Sequence, residues 1–388
     1  CKDANEMLQT DSKELKAFLD NNYREINRNE DTDRIDNANI SNTLDYFRTI
    51  ESQPPAKLVS TGFKELDKNF KGGLRTGFYV LGALSNLGKT AFIIQMADQM
   101  AKQGTPVLLF SLEMDKKELT ARSISRTTYN QVGDKEDKKG YPIASTTFDI
   151  LDNTKYQYYD KDKKDTINVS INIYENIAKN LYIISGRYKE KDTSRRMTIN
   201  DIEKIIKDFI QYKGITPVIF IDYMQIIAPI DVHYTDKQNM DEVVDRLKQI
   251  SVEQDTPVVA ISSYNRDNYY EPANVSAFKE SGAIDYGADY IMALQYKGID
   301  EIYYDNDKRK TEQQKKREIY ELIEDLKLKS NQGEPIPIEF KMLKGRNSGK
   351  FNMVFKFKAR YGYFTEDTYK ASVKDTNYSA KKVATPLN

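Results

Sequence analysis

A single cysteine, Cys1, and a single histidine, His233, are all that 388 residues carry of two side chains that dominate metal and nucleophilic sites. Intrachain disulfides and thiolate metal sites are thereby excluded, and a His-based zinc site or a histidine triad is disfavoured with them. His233 stands in a Tyr-rich, polar stretch and reads as a surface residue. Charge of either sign in excess is also missing, since 59 basic residues meet 59 acidic ones. A protein that binds nucleic acid through its overall charge would be basic, so any such binding here needs a local strip of positive groups. No apolar run approaches the roughly 18 residues of a membrane span, and no membrane partner is expected. No signal peptide is visible, and residue 1 is Cys rather than Met, so the chain is expected to be a piece of a longer protein. Carboxylate, lysine, arginine and metal held through phosphate remain for chemistry. That inventory suits phosphoryl transfer.

What is present is a core-forming sequence, 39% apolar and 30% charged. Residues 1–58 are polar, with one amphipathic stretch at Leu15–Leu19 and Pro54-Pro55 near the end, and read as a linker or helical arm. From 59 to 366 short apolar runs alternate with helical patterns. Phe78–Leu81, Val107–Phe110, Val218–Ile221 and Val258–Ile261 are apolar throughout, as strands buried on both faces of a parallel sheet are. Between them, Phe92, Ile93, Met96, Ala97 and Met100 make one helical stripe, Ile202 to Ile210 a second, and Met240 to Ile250 a third. Thr198–Asp201 has the form of a capping box that opens the second helix. The alternation predicts an α/β fold with a mainly parallel central sheet flanked by helices. Two segments depart from it. Residues near 130–180, rich in Lys, Asp, Tyr and Asn, read as an insertion with mobile loops, and 297–335 as a second insertion holding a solvated helix or hairpin. Residues 367–388 lack apolar periodicity and read as a disordered tail.

The first predicted strand runs into Ala83-Leu84-Ser85-Asn86-Leu87-Gly88-Lys89-Thr90, and a helix follows. This is the phosphate-loop pattern with Ala83 at the first glycine position and Gly82 one place early. Backbone N–H groups of such a loop and helix N-terminus cradle phosphates. Lys89 would reach the β/γ oxygens, and the Thr90 hydroxyl would ligate Mg²⁺. Glu113 closes the second strand, where a carboxylate can polarise an attacking water or serve a helix N-terminus. Asp222 closes the third, in the place of a Mg²⁺-holding carboxylate. The fourth leads into Ser262-Ser263-Tyr264-Asn265-Arg266, a polar end that either senses a γ-phosphate or simply terminates a strand.

In this order the motifs resemble the RecA-like ATPase domain of the DnaB-type replicative helicases. The resemblance covers 59–366. It takes in Thr61-Gly62-Phe63, Leu66-Asp67 and Gly72-Gly73-Leu74, then Ser111–Met114, Ile221–Gln225, Lys279–Ile284 with Ala288-Asp289, and Lys344-Gly345-Arg346-Asn347. Ala at the first glycine position is usual in that family. The resemblance implies a hexameric ring that binds ATP and Mg²⁺ between subunits, hydrolyses ATP, and moves on single-stranded DNA to unwind duplex. It implies nucleotide contacts from Ala83, Ser85, Asn86, Leu87, Gly88, Lys89, Thr90 and Ala91 and from Arg122, with Glu113 as the catalytic glutamate and Lys89 as the phosphate lysine. Lys344 and Arg346 would enter the neighbouring subunit's site, and Lys279, Glu280 and Gly282 would contact the DNA backbone. Primase, loader or polymerase are the further partners it implies, in the cytoplasm, in bacterial, phage or mobile-element replication. Ser263 departs from it, standing where the family usually has Gln. Residues 1–8, Cys1 to Leu8, resemble the end of a Toprim primase domain, as in phage-type primase-helicases. Two other readings are a RecA- or KaiC-like ATPase that does not unwind, and a nucleotide-binding DNA clamp or loader remnant of a mobile element. Lys279 to Ala283 argue against the first.

Overall fold

The computed structural model describes residue 16 and residues 39–52, 57–186, 188–190, 193–265, 268–279, 281–305 and 310–367. The expected primase-like Cys1–Leu8, most of the arm, Glu280 and residues 368–388 of the tail lie outside the described residues. The chain divides into two units, Cys1–Ala56 and Lys57–Asn388. In the first, α1 spans Ser41–Arg48.

The second unit is built on a nine-stranded sheet. Its strands are β1 (Gly77–Ala83), β2 (Val107–Ser111), β3 (Leu181–Ser185), β6 (Val218–Asp222), β7 (Pro257–Ser263), β8 (Tyr290–Tyr296), β9 (Ile336–Gly345), β10 (Asn352–Lys358) and β11 (Tyr363–Glu366), with a separate hairpin of β4 (Tyr188–Glu190) and β5 (Thr193–Arg195). The order is β11-β10-β9-β8-β1-β7-β6-β2-β3. From β8 to β3 every pairing is parallel, whereas β9, β10 and β11 run antiparallel. All residues of β1, β2, β6 and β8 are buried, as strands covered on both faces must be.

The helices of this unit are α2 (Lys64–Asn69), α3 (Lys89–Lys102), α4 (Lys116–Val132), α5 (Thr147–Leu151), α6 (Asn153–Tyr156), α7 (Lys161–Ala178), α8 (Ile199–Lys213), α9 (Asp236–Glu253), α10 (Ser281–Gly287), α11 (Ile299–Tyr303) and α12 (Glu312–Asn331). The predicted stripes of α3, α8 and α9 face inward, and Thr198 and Asp201 form the expected capping box.

Three findings go beyond the sequence reading. The stretch 130–180 holds the helices α5, α6 and α7, and α7 buries Ile167, Ser170, Tyr174 and Ile177 while its Asp162, Asp165, Asn168, Asn172 and Asn176 are exposed. Tyr174 donates to Asp98 Oδ1 at 3.1 Å, and Asp98 also pairs with buried Arg126, which pins α7 to the core. In 297–335, α12 buries only Ile319, Ile323 and Leu326, one narrow stripe on a charged helix. Finally, β8 lies beside β1, the middle strand of the nine, and its Tyr290 stacks on Tyr79 with ring centroids 4.1 Å apart.

Candidate active site

Parallel strands end together, so register decides which residues meet. Ala83 is paired with Ser263, and Ser111 with Asp222. The carboxyl ends of β1, β7, β6 and β2 therefore form one edge, where open α/β sheets bind ligands. A cleft of about 790 Å³ opens there, large enough for a nucleotide.

Gly88 caps α3 with φ +85°, a left-handed conformation. A Cβ there would come within 2.7 Å of the Phe357 ring, so both backbone and space require glycine. Gly82 serves a different purpose. Its missing side chain makes room for the rings of Phe278 and Tyr264, which a Cβ would meet at 2.3 and 2.4 Å.

Ser85, Asn86, Gly88, Lys89, Thr90 and Ala91 line the cleft with Glu113, Arg122 and Asp222. Ala83 and Leu87 do not line it; both lie beneath, 1% exposed, and offer only backbone. Lys89 Nζ donates to the carbonyls of Ala83 and Leu84, each at 3.0 Å. Burial pulls the Lys89 ammonium down to about 8, against the opposing pull of Asp222 and Glu113. Burial likewise pushes the Asp222 carboxyl up to about 6; the neighbouring Thr90 hydroxyl opposes this and the charge of Glu113 adds to it.

Thr90 and Asp222 supply a hydroxyl and a carboxylate oxygen side by side. Such a hard and sparse donor set fits Mg²⁺, which takes one or two protein oxygens and completes its shell with phosphate and water. Among the described residues no cluster of three or more His, Cys, Asp or Glu could hold a metal.

Glu113 follows β2 and is exposed to the cleft. Ser111 Oγ donates to the Met114 carbonyl at 2.7 Å and so closes the turn that carries it. The N-cap of α4 is Asp115, which accepts from the N–H groups of Lys117 and Glu118. The helix-capping alternative for Glu113 is thus filled by another residue.

Sequence reasoning missed Glu118 and Arg126, which share the lining with Arg122. Their spacing of four residues along one helix was the available signal. Glu118 pairs with Arg122 at 3.1 Å.

Lys344 and Arg346 are not brought into this cleft. Gly345 is paired with Tyr290, and Tyr290 with Tyr79, near the amino ends of the parallel strands. Lys344 Nζ donates to the Asp285 carbonyl, and Arg346 Nη1 to Asp289 Oδ1 at 3.2 Å. Lys279 is exposed, its N–H held by the Ser263 carbonyl at 3.0 Å, and Gly282 lies on α10 with open space where a Cβ would be.

Residues 59–366 match the DnaB-like helicase C terminal domain family. The chain belongs to that family. It is 24% identical over 304 residues to a probable replicative DNA helicase of Trieres chinensis, covering 75% of this chain and 59% of the relative. It is 27% identical over 259 residues to the replicative DNA helicase DnaB of Pasteurella multocida (strain Pm70), covering 65% of this chain and 48% of the relative. The chain thus spans about half the length of these curated relatives. In fold it is similar to a separately solved ATPase domain, with a TM-score of 0.62 at 21% identity over 85% of this chain and 99% of that one. A DnaB-like replicative helicase solved for its interactions with primase gives 0.60 at 21% identity, over 84% and 66% of the two chains. The predicted RecA-like α/β architecture is borne out. No helix among the described residues is long and apolar enough to cross a membrane.

Proposed function

We propose that this chain is the ATP-hydrolysing motor of a replicative DNA helicase, moving on single-stranded DNA and unwinding duplex. The observation that carries the reading is a division. The phosphate loop, Glu113 and Asp222 share one edge of the sheet, while Lys344 and Arg346 lie towards the other. Parts of one reaction that cannot meet within a chain call for a neighbour, and ring assembly supplies it.

In the proposed site the loop amides and Lys89 hold the β- and γ-phosphates of ATP. Bound Mg²⁺ would neutralise developing charge on those phosphates, with Thr90 and Asp222 as its protein ligands. Glu113 accepts a proton from the attacking water, and Arg122 steadies the nucleotide. Lys344 and Arg346 of one subunit face the phosphates bound by the next, where a guanidinium favours the transition state. Lys279, Glu280 and Gly282 are the proposed DNA contacts, repeated around the channel, which reconciles DNA binding with zero net charge. Residues 1–58 form the arm and 59–366 the motor. A primase, on this chain or as a partner, fits the reading, as does the cytoplasm as its place of action.

The test is ATP hydrolysis with and without single-stranded DNA, together with strand displacement on a forked duplex. DNA-stimulated turnover with displacement is expected. Hydrolysis without displacement would leave a non-unwinding ATPase, and nucleotide binding without turnover a clamp or loader.

A further inference from the structure

Between the nucleotide cleft and the candidate DNA loop stands one side chain to which no role has yet been given. Gln225 lies three residues after Asp222, on the short turn Met224–Ile226. Its Nε2 donates to Ser262 Oγ at 2.8 Å, and its Oε1 accepts from the Ser263 N–H at 3.3 Å. The Ser263 carbonyl in turn accepts from the Lys279 N–H at 3.0 Å. On its other side Ser263 is paired with Ala83, whose carbonyl takes Lys89 Nζ. Serine at 263 has a side chain too short to span from the cleft to the loop. The connection therefore runs through the backbone of Ser263, and Gln225 is the group that fastens this backbone to the strand ending in Asp222.

A second tie joins the same loop to the cleft, since the Tyr269 and Ser85 hydroxyls lie 3.0 Å apart. Bound phosphate would compete with the Ala83 and Leu84 carbonyls for Lys89, and would bear on Ser85 directly. Both changes fall at the ends of this linkage.

We infer that Gln225 is a positioning residue that couples the nucleotide held at Lys89 and Asp222 to the loop carrying Lys279. The inference rests on the motor reading above. A ligand shifts a distant site only through contacts that differ between two states, and the Gln225–Ser263–Lys279 chain is short, polar and contiguous.

The experiment measures ATP turnover by the full chain with and without single-stranded DNA, and DNA affinity with and without nucleotide. Gln225→Ala is expected to lower DNA stimulation by about fivefold or more, the lower end of a usual coupling, with basal turnover retained. Gln225→Met keeps the side-chain volume, guards against a folding defect, and should behave alike. Ser263→Gln added to Gln225→Ala places a long amide at the cleft wall and should recover part of the stimulation, which a merely structural role would not allow. Full stimulation in both single variants, or equal loss of basal and stimulated turnover, overturns the inference. A wild-type chain whose turnover ignores DNA overturns the motor reading itself, a distinct result.

Discussion

Arg346 is fastened to Asp289 twice, through its guanidinium at 3.2 Å from the carboxylate and through its backbone N–H at 3.1 Å from the carbonyl. Asp289 also accepts from the Phe78 N–H at 2.9 Å and pairs with Lys248. The loop after β9 is thus moored to the starts of β8 and β1, while Arg346 keeps 70% of its side chain exposed.

That mooring leads to a mixing experiment. Lys89→Ala and Arg346→Ala are each expected to reduce hydrolysis, the latter by about a thousandfold, as loss of a trans-acting arginine does. Combined in one assembly, they should regain activity at interfaces where the two intact faces meet. Absence of recovery in verified mixed assemblies would speak against a shared site.

The pH dependence follows from two buried groups of opposite sign. Asp222, raised to about 6, becomes a neutral acid as pH falls and loses the charge that would hold Mg²⁺. Lys89, lowered to about 8, loses its ammonium as pH rises. Because kcat/KM reports the free protein, its logarithm should fall on both sides of a plateau between these two values. The profile of kcat should be broader, since bound phosphate and Mg²⁺ favour the charged forms. A flat kcat/KM from about pH 5 to about pH 9 would detach these groups from catalysis.

Two glycines should differ in nucleotide affinity, though a Cβ at either one meets a buried ring. Gly82→Ala pushes a methyl into the Phe278 and Tyr264 rings, which are buried and have little freedom to yield. A loss of about 1–3 kcal/mol in unfolding free energy is expected, the usual cost of overpacking, with ATP affinity kept. Gly88→Ala strains a left-handed backbone at the loop itself and should weaken ATP binding. Unfolding curves and nucleotide titrations distinguish them, and weakened ATP binding in Gly82→Ala at unchanged stability would assign that glycine to the phosphate loop after all.

The difference between these glycines shows what a sequence can and cannot display. Ser85 to Thr90 was readable because a phosphate loop is local: strand, turn and helix follow one another within a few residues. The buried strands β1, β2, β6 and β7 were readable because parallel strands are apolar without interruption. β8 was not, although Tyr290–Leu294 is apolar throughout, because no strand-end carboxylate or phosphate loop follows it as a marker; its Gln295 amide donates to Asp300 and Glu339. β9 alternates charge with Phe340 and Met342, as a less deeply covered strand does. α7 was hidden because a polar helix with a narrow buried stripe has the composition of a loop. The grip of Gln225 on Ser263 spans 38 residues, and no pattern in the chain announces it.

The sheet's own direction has a consequence for assembly. A two-fold dimer joins one surface patch to its own copy, and the phosphate-loop edge and the Arg346 edge lie towards opposite ends of the strands, outside any single patch. Completing the proposed site demands a head-to-tail contact, the kind that builds either closed rings or open helices. In an open row the last subunit always carries a cleft with no arginine supplied, and the first an arginine with no cleft. Closure removes both idle ends at once. Turnover per subunit should therefore step upward when the row becomes a ring, with no change in any chemical group.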